Sequence, residues 1–170
     1  HRPYLTQLSA YSDTTNISTC ITLEPTGSQT MNDDVSLHND HTRPSSATGN
    51  ITLDKPLKVQ LSLYTNPARA TNFNGTVGDT DELTSLTTDA AGTTILNGVT
   101  IETTGPQTFN DDVSLNKDTP LTRSATGNIT FHKTLKGQFS LDVNTAGATN
   151  FNGTVRATDE FTSLPPNRAG

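Results

Sequence analysis

The chain has 170 residues, of which 30% are hydrophobic and 5% aromatic, with no Trp. A chain of this length can bury a core, but this composition predicts a thin core of small aliphatic and β-branched side chains, which suits a solenoid better than a globule. The 11 Lys and Arg residues against 17 Asp and Glu residues give a net charge of −6. Without a basic stripe to neutralise phosphates, nucleic acid is not an expected partner.

No apolar run approaches the roughly 20 residues that a membrane-spanning helix needs, so no transmembrane segment is expected. No charged and apolar leader opens the chain. A single cysteine, Cys20, excludes an internal disulfide. The start at His1, the mid-repeat beginning at Leu5 and Pro165-Pro166 near the end predict a piece of a longer parent chain.

An internal duplication organises the sequence. A shift of 78 residues, from Gly27 to Gly105, aligns residues 26–86 with 104–164 without a gap, and roughly two thirds of the positions are identical. In chain order, this alignment divides the sequence into four segments. They are the tail of a preceding repeat (1–25), repeat 1 (26–103), a truncated repeat 2 (104–164) and a Pro-containing C-terminal tail (165–170).

A shorter phrase recurs within each copy: Gly, three residues, a large apolar residue, a polar turn-former, two variable residues, then Val or Leu. It starts at positions 27, 49, 69 and 92, and this spacing of roughly 20–23 residues matches one coil of a parallel β-helix. The next step, from position 92 to position 105, is much shorter. It is either a contracted coil or a misaligned phrase.

The local pattern of the phrase predicts strands. Ile51-Thr52-Leu53 and Ile129-Thr130-Phe131 alternate apolar and polar residues, which places one face inward and the other outward. Asn74-Gly75, Asn97-Gly98 and Asn152-Gly153 are expected turns, because Asn and Gly both tolerate positive φ. Because Asn-Gly between apolar runs also marks hairpins, an antiparallel array remains the structural alternative.

Four segments, TTGPQTFNDDVSL, SATGNITF, NTAGATNFNGTV and LTSLTTDAAGTTILNG, resemble the repeat arrays of filamentous haemagglutinin-like and autotransporter-type bacterial exoproteins. The resemblance extends from about Leu5 to Leu164. It implies an all-β, right-handed parallel β-helix with coils of about 20–23 residues. It also implies a place at the cell surface or secretion, and a role as a stalk or adhesive fibre without catalysis. Arg69, Pro44 and Pro56 depart from a perfectly regular solenoid.

The paired carboxylates Asp33-Asp34 and Asp111-Asp112 are the weak candidates for a Ca²⁺ site or for acid–base catalysis. Adjacent strand residues point to opposite faces, so neither pair converges on one bond by itself. The duplication adds to this objection, because catalysis needs one special pocket whereas a turn is needed in every coil. The favoured interpretation is that these are solvated turn residues, with no catalytic residue, cofactor or metal.

Other polar motifs have simple interpretations. His38 and His41 form an HxxH outside any helical pattern, so they are expected to be lone surface histidines, and His132 has no identified partner. Five sequons are expected to be unmodified polar strand and turn residues in a bacterial exoprotein. They are Asn16, Asn50, Asn74, Asn128 and Asn152.

The sequence therefore predicts a structural and adhesive segment of a bacterial surface or secreted fibrous protein. Its expected partners are the neighbouring repeats of the parent chain, a second copy or partner protein at the open ends, and a host glycan or surface receptor. Two alternatives remain. One is a carbohydrate-active or carbohydrate-binding β-helix, such as a polysaccharide lyase, and the other is an ice- or surface-binding solenoid with rows of Thr hydroxyls.

Overall fold

A computed structural model describes residues 8–10, 14–17, 27–32, 34–37, 41–45, 49–58, 62–67, 69–78, 80–123 and 127–156. Across these residues the chain is all-β and contains no helix. Every strand pairing in the described part is parallel, including the pairings beside the Asn-Gly turns. The predicted parallel β-solenoid is confirmed, and the antiparallel alternative is wrong.

The strands stack into three sheets, and the described strands follow the same order of sheets from coil to coil. Sheet 1 contains β1 (Leu8–Ala10), β3 (Gln29–Met31), β6 (Ile51–Leu53), β9 (Ala70–Phe73), β11 (Thr93–Asn97), β14 (Asp112–Lys117), β17 (Leu135–Gly137) and β20 (Val155–Arg156). Sheet 2 contains β2 (Thr14–Ile17), β4 (Asp34–Leu37), β7 (Leu57–Lys58), β12 (Ile101–Thr103), β15 (Thr119–Arg123) and β18 (Leu141–Asn144), with Val77 bridging β7 and β12. Sheet 3 contains β5 (His41–Ser45), β8 (Ser62–Pro67), β10 (Ser85–Thr88), β13 (Gln107–Phe109), β16 (Ile129–Phe131) and β19 (Thr149–Phe151).

The strand register gives the length of each coil. On sheet 1, Gln29 pairs with Ile51 and Ile51 pairs with Thr71, so the paired positions differ by 22 and then by 20. Thr71 pairs with Thr94 and Thr94 pairs with Val113, so the next differences are 23 and 19. The predicted coil of about 20–23 residues is therefore confirmed, and one coil is a residue shorter.

Strict alternation builds the core, because successive strand residues point to opposite sides of a sheet. In β6, Ile51 and Leu53 are buried while Thr52 is partly exposed, and β13 and β16 follow the same pattern. Equivalent inward residues of neighbouring coils lie directly above one another. On sheet 3, Phe109 stacks on Phe131 with ring centroids 4.9 Å apart and an interplanar angle of 7°. Phe151 continues the stack at 5.3 Å.

The duplicated segments lie on different sheets. Gln29 begins β3 on sheet 1, whereas Gln107, its equivalent in repeat 2, begins β13 on sheet 3. From β3 to β13 the chain takes eleven steps from sheet to sheet, counting Val77 as a strand position, which is three coils and two further sheets. Four complete coils would take twelve steps. Repeat 2 therefore begins one sheet short of the position that four complete coils would give it.

This displacement explains the short step from position 92 to position 105. The phrase that starts at Gly92 forms β11 on sheet 1, and the phrase that starts at Gly105 forms β13 on sheet 3. The step spans two sheets of one coil, so it is neither a contracted coil nor a misaligned phrase. Coils on sheet 3 keep their usual length here, because Leu86 pairs with Gln107 and the two positions differ by 21.

Glycines mark the places where neighbouring coils approach most closely. Gly98 has a φ of +74°, a value that glycine tolerates in a turn. Gly75 and Gly153 are not among the positive-φ glycines. A Cβ atom on Gly75 would collide with the carbonyl carbon of Lys55 in the coil beneath. The requirement for glycine at position 75 therefore comes from coil spacing.

Gly75→Ala is expected to destabilise the solenoid by about 1–3 kcal/mol, because the added methyl group meets backbone that cannot rotate away. Chemical denaturation followed by circular dichroism measures this change. The clash involves the backbone of Lys55, so the double variant Lys55→Ala/Gly75→Ala should be no more stable than Gly75→Ala, while Lys55→Ala alone should change little. Full rescue by Lys55→Ala would contradict the backbone explanation.

Candidate functional site

Asp111 lies inside the solenoid at the corner between sheets 3 and 1. Its side chain is 1% exposed, so the interpretation of this residue as a solvated turn residue is wrong. The Thr88 hydroxyl donates to Asp111 Oδ1 at 2.6 Å, and the Thr94 hydroxyl lies 3.0 Å from Oδ1 and 2.9 Å from Oδ2. Thr88 ends β10 and Thr94 belongs to β11, and these two strands flank the same corner in the coil beneath. One carboxylate therefore accepts hydrogen bonds from both strands.

The environment of Asp111 changes its acidity. Burial raises the pKa of its carboxyl above the usual 3.8, because the charged form loses water. Hydrogen bonds from Thr88 and Thr94 and from its own backbone lower the pKa and offset part of this rise, while the negative charge of Asp112 adds slightly to it. The net effect of these contributions is a raised pKa of the Asp111 carboxyl.

The consecutive carboxylates do not converge. Asp111 is buried, whereas Asp112 is partly exposed and its Oδ1 accepts a hydrogen bond from the backbone N–H of Thr134 at 3.0 Å. In the first copy, Asp33 lies outside the described residues, and Asp34 is described only as the first residue of β4. For the two described side chains, Asp111 and Asp112, the structure therefore places the carboxyl groups in different environments, one buried and one partly exposed.

Metal-binding geometry is absent from the part of the chain that the structure describes: no three His, Cys, Asp or Glu side chains gather there. His38 and Cys20 lie outside the described residues, and for His41 only its place in β5 is described. The described part also lacks any helix long and apolar enough to cross a bilayer.

Asparagine side chains form a ladder along the corner between sheets 1 and 2. Asn74 Nδ2 donates to Asp54 Oδ1 at 2.6 Å, Asn97 Nδ2 donates to Asn74 Oδ1, and Asn116 Nδ2 donates to Asn97 Oδ1 at 2.8 Å. All donors point the same way, and the first acceptor is a carboxylate, which suits the aligned amide dipoles. Membership of this ladder was not predicted for Asn97 or Asn116. The signal was available, because each rung directly follows an inward-facing residue.

Several predicted sequons have roles between coils. Besides Asn74, Asn152 Nδ2 lies 3.3 Å from His132 Nδ1, and Asn128 Oδ1 accepts the backbone N–H of Ala148 at 3.0 Å. The backbone N–H of Asn50 donates to the Ser28 hydroxyl at 3.2 Å. For Asn16 the structure describes only its place in β2. The absence of glycans at these positions stays a prediction.

The duplication places the same surface contact on two different sheets. Asn72 Nδ2 lies 3.3 Å from the Thr52 hydroxyl on sheet 1, and Asn150 Nδ2 lies 3.3 Å from the Thr130 hydroxyl on sheet 3. The two pairs occupy equivalent positions in repeat 1 and repeat 2. A repeated surface therefore faces two directions on one rod.

Three sheets of parallel strands, wound coil upon coil around an apolar core, define the chain as a parallel β-solenoid. Comparison with known protein families, curated proteins and solved structures found no match in any of the three.

Raising the pH should destabilise the folded chain through Asp111. Because the folded pKa is raised, the folded chain binds this proton more tightly than the unfolded chain, and its stability falls as pH rises from the ordinary value of 3.8 through the raised folded pKa. Asp111→Asn should remove this part of the pH dependence and be more stable than the parent at pH 7.

Urea denaturation at a series of pH values measures the difference between the parent and Asp111→Asn. Asp142→Asn is the matched control, because Asp142 is exposed. Parallel pH profiles for the parent and Asp111→Asn would show that ionisation of the buried carboxyl costs the fold nothing.

Proposed function

We propose that the chain is a structural and adhesive segment of a bacterial cell-surface or secreted fibrous protein, with reach and multivalent contact as its role and no catalysis. The observation that carries this proposal is the duplicated surface on two sheets of one continuous stack. A binding surface repeated in two directions gains avidity without any new type of contact. A single catalytic pocket gains nothing from such an arrangement.

The extended geometry supports the same role. Stacked coils lie about 4.8 Å apart, so one repeat unit of three coils and two sheets adds roughly 17–18 Å of length. Each coil contacts mainly its neighbours, so units add without altering those already present. The expected neighbours are further repeats of a longer parent chain or a partner protein at the ends, with an extracellular or outer-surface location.

The two alternative functions receive less support. The Asp111 carboxyl is enclosed among threonines and does not face an open cleft, so it offers no acid or base for a lyase. On sheet 3, Thr87, Thr108 and Thr130 form one outward file, but β13 and β16 each present only their central residue outward. A single file lacks the second row that a flat ice-binding array requires.

Insertion of a second copy of residues 26–103 after Thr103 tests the role as a spacer. Small-angle X-ray scattering should show that the maximum dimension rises by about 17–18 Å while the cross-section stays constant. A flexible Gly/Ser insert of equal length is the control for added mass. A thicker particle of unchanged length would contradict the spacer role.

Adhesion is tested with the same pair of proteins. Beads coated at equal molar density with the parent or the extended chain are allowed to settle on cultured epithelial cells and are then sheared. The extended chain should hold more strongly, because it carries the repeated surface once more. Equal detachment of both bead types at the level of uncoated beads would refute the adhesive role.

A further inference from the structure

A cavity of about 300 Å³ opens at the corner between sheets 1 and 2, where β17 lies above β14. This volume is at the lower end of the range for small-ligand sites. Its lining is mixed, with one aromatic ring, one cation, two side-chain amides and one hydroxyl. The lining residues are Ser114, Leu115, Asn116, Lys136, Gly137, Gln138 and Phe139.

Asn116 supplies a hydrogen-bond acceptor to this cavity. Its Nδ2 is committed to Asn97 at 2.8 Å, at the end of the asparagine ladder, and the side chain is exposed. The Oδ1 atom is therefore the available group, and the aligned amides beneath it polarise it further. Asn116 also forms a β-bulge, because Leu96 pairs with Leu115 while Asn97 pairs with Lys117. Bulges of this kind re-aim side chains beside functional sites.

Two cations stand together on the outer side of sheet 1. Lys136 pairs in register with Arg156 in the next coil, and Lys136 lines the cavity. Within the described residues neither side chain is engaged in an ion pair or a hydrogen bond. The chain has a net charge of −6, so two adjacent cations without a partner among the described residues form a local region of positive charge. They are complementary to an anionic group.

Phe139 provides an apolar surface at the same place. Its ring packs against the core but is only partly buried. At Gly137 a Cβ atom would lie 2.6 Å from the carbonyl oxygen of Leu115, so the close approach of the two coils requires glycine at this part of the lining. The cavity thus combines an aromatic face, an acceptor and a cationic edge.

We propose that this cavity binds an anionic saccharide, a pyranose unit that bears a carboxylate or a sulfate. The anionic group lies at Lys136 and Arg156, a ring hydroxyl donates to Asn116 Oδ1, and the C–H face of the ring packs on Phe139. This inference rests on the proposed adhesive function and deepens it, because it names the chemistry of one binding site that repeat 2 carries in addition to the duplicated surface.

The first copy does not reproduce the cavity's residues. At the positions equivalent to Asn116, Gly137 and Phe139 stand His38, Val59 and Leu61. Lys136 is matched by Lys58. The Phe ring, the glycine and the asparagine amide at these positions are therefore specific to repeat 2, and the first copy supplies the natural substitution for each of them.

Isothermal titration and ¹⁵N-detected NMR of the full chain test the proposal with four probes. They are a hyaluronan tetrasaccharide that carries carboxylates, a heparin tetrasaccharide that carries sulfates, neutral chitotetraose and inorganic sulfate. At least one anionic tetrasaccharide should bind and shift the amide signals of Ser114, Lys136 and Phe139. Raising the ionic strength from about 0.15 M to about 1 M should weaken this binding.

Variants assign the binding to the named groups. Lys136→Gln should weaken it about tenfold, because one charge-assisted contact is lost. Phe139→Leu and Asn116→Ala should each weaken it several-fold, and Asn116 is exposed, so its variant does not disturb the core. Lys55→Gln is the matched control, since it removes an exposed positive charge elsewhere and should leave the affinity unchanged.

Four outcomes would overturn the proposal. They are no binding by either anionic tetrasaccharide, equal binding by chitotetraose, equal binding by inorganic sulfate alone, and equal loss of affinity in Lys55→Gln and Lys136→Gln. Binding of only the hyaluronan or only the heparin probe supports the proposal and identifies the anionic group. None of these outcomes affects the length of the extended chain, so failure of this site and failure of the spacer role are distinguishable.

Discussion

The whole architecture depends on backbone hydrogen bonds that run between coils along the axis. In a parallel stack each strand bonds to the strand one coil above and the strand one coil below, and the spacing is fixed at about 4.8 Å. Leu57 N–H donates to Thr76 and Val77 N–H donates to Thr100, so the ladder continues even where Val77 alone occupies the strand position. A residue's most important neighbour is therefore a whole coil away in sequence.

Because the axial spacing is fixed, the stack favours side chains that can pack on the same type of side chain in the coils directly above and below. Flat aromatic rings meet this condition, as Phe109, Phe131 and Phe151 show with nearly parallel planes. Asparagine meets it differently, because its amide is both donor and acceptor and continues a ladder through coil after coil. A carboxylate cannot stack on another carboxylate, and accordingly Asp111 lies above threonine hydroxyls and Asp54 lies beneath an asparagine amide.

Much of this fold follows from local sequence. Alternation in Ile51-Thr52-Leu53 predicts a strand, and the spacing of the phrase predicts the coil, because both depend on residues close together in the chain.

The burial of Asp111 did not follow from the sequence, since Asp33-Asp34 and Asp111-Asp112 are locally identical. What distinguishes Asp111 is the preceding coil, where Thr88 and Thr94 donate to it. Ala10 and Asn16 occupy the positions equivalent to these threonines in the earlier copy, so the sequence repeats the carboxyl but not the two threonine hydroxyls. Likewise, the cavity beside Phe139 depends on a bulge that no local pattern announces.

The eleven-step unit also constrains how such a gene changes. Unequal crossing-over between the two copies adds or removes one whole unit at a time, and every such event preserves strand register, because it begins and ends at equivalent strands. It nevertheless turns everything beyond the junction by a third of a revolution. Gain of one unit therefore changes the direction in which a distal surface faces around the axis, and gain of three units restores the original direction. The number of units in an array therefore determines the direction of a distal surface as well as the length of the array.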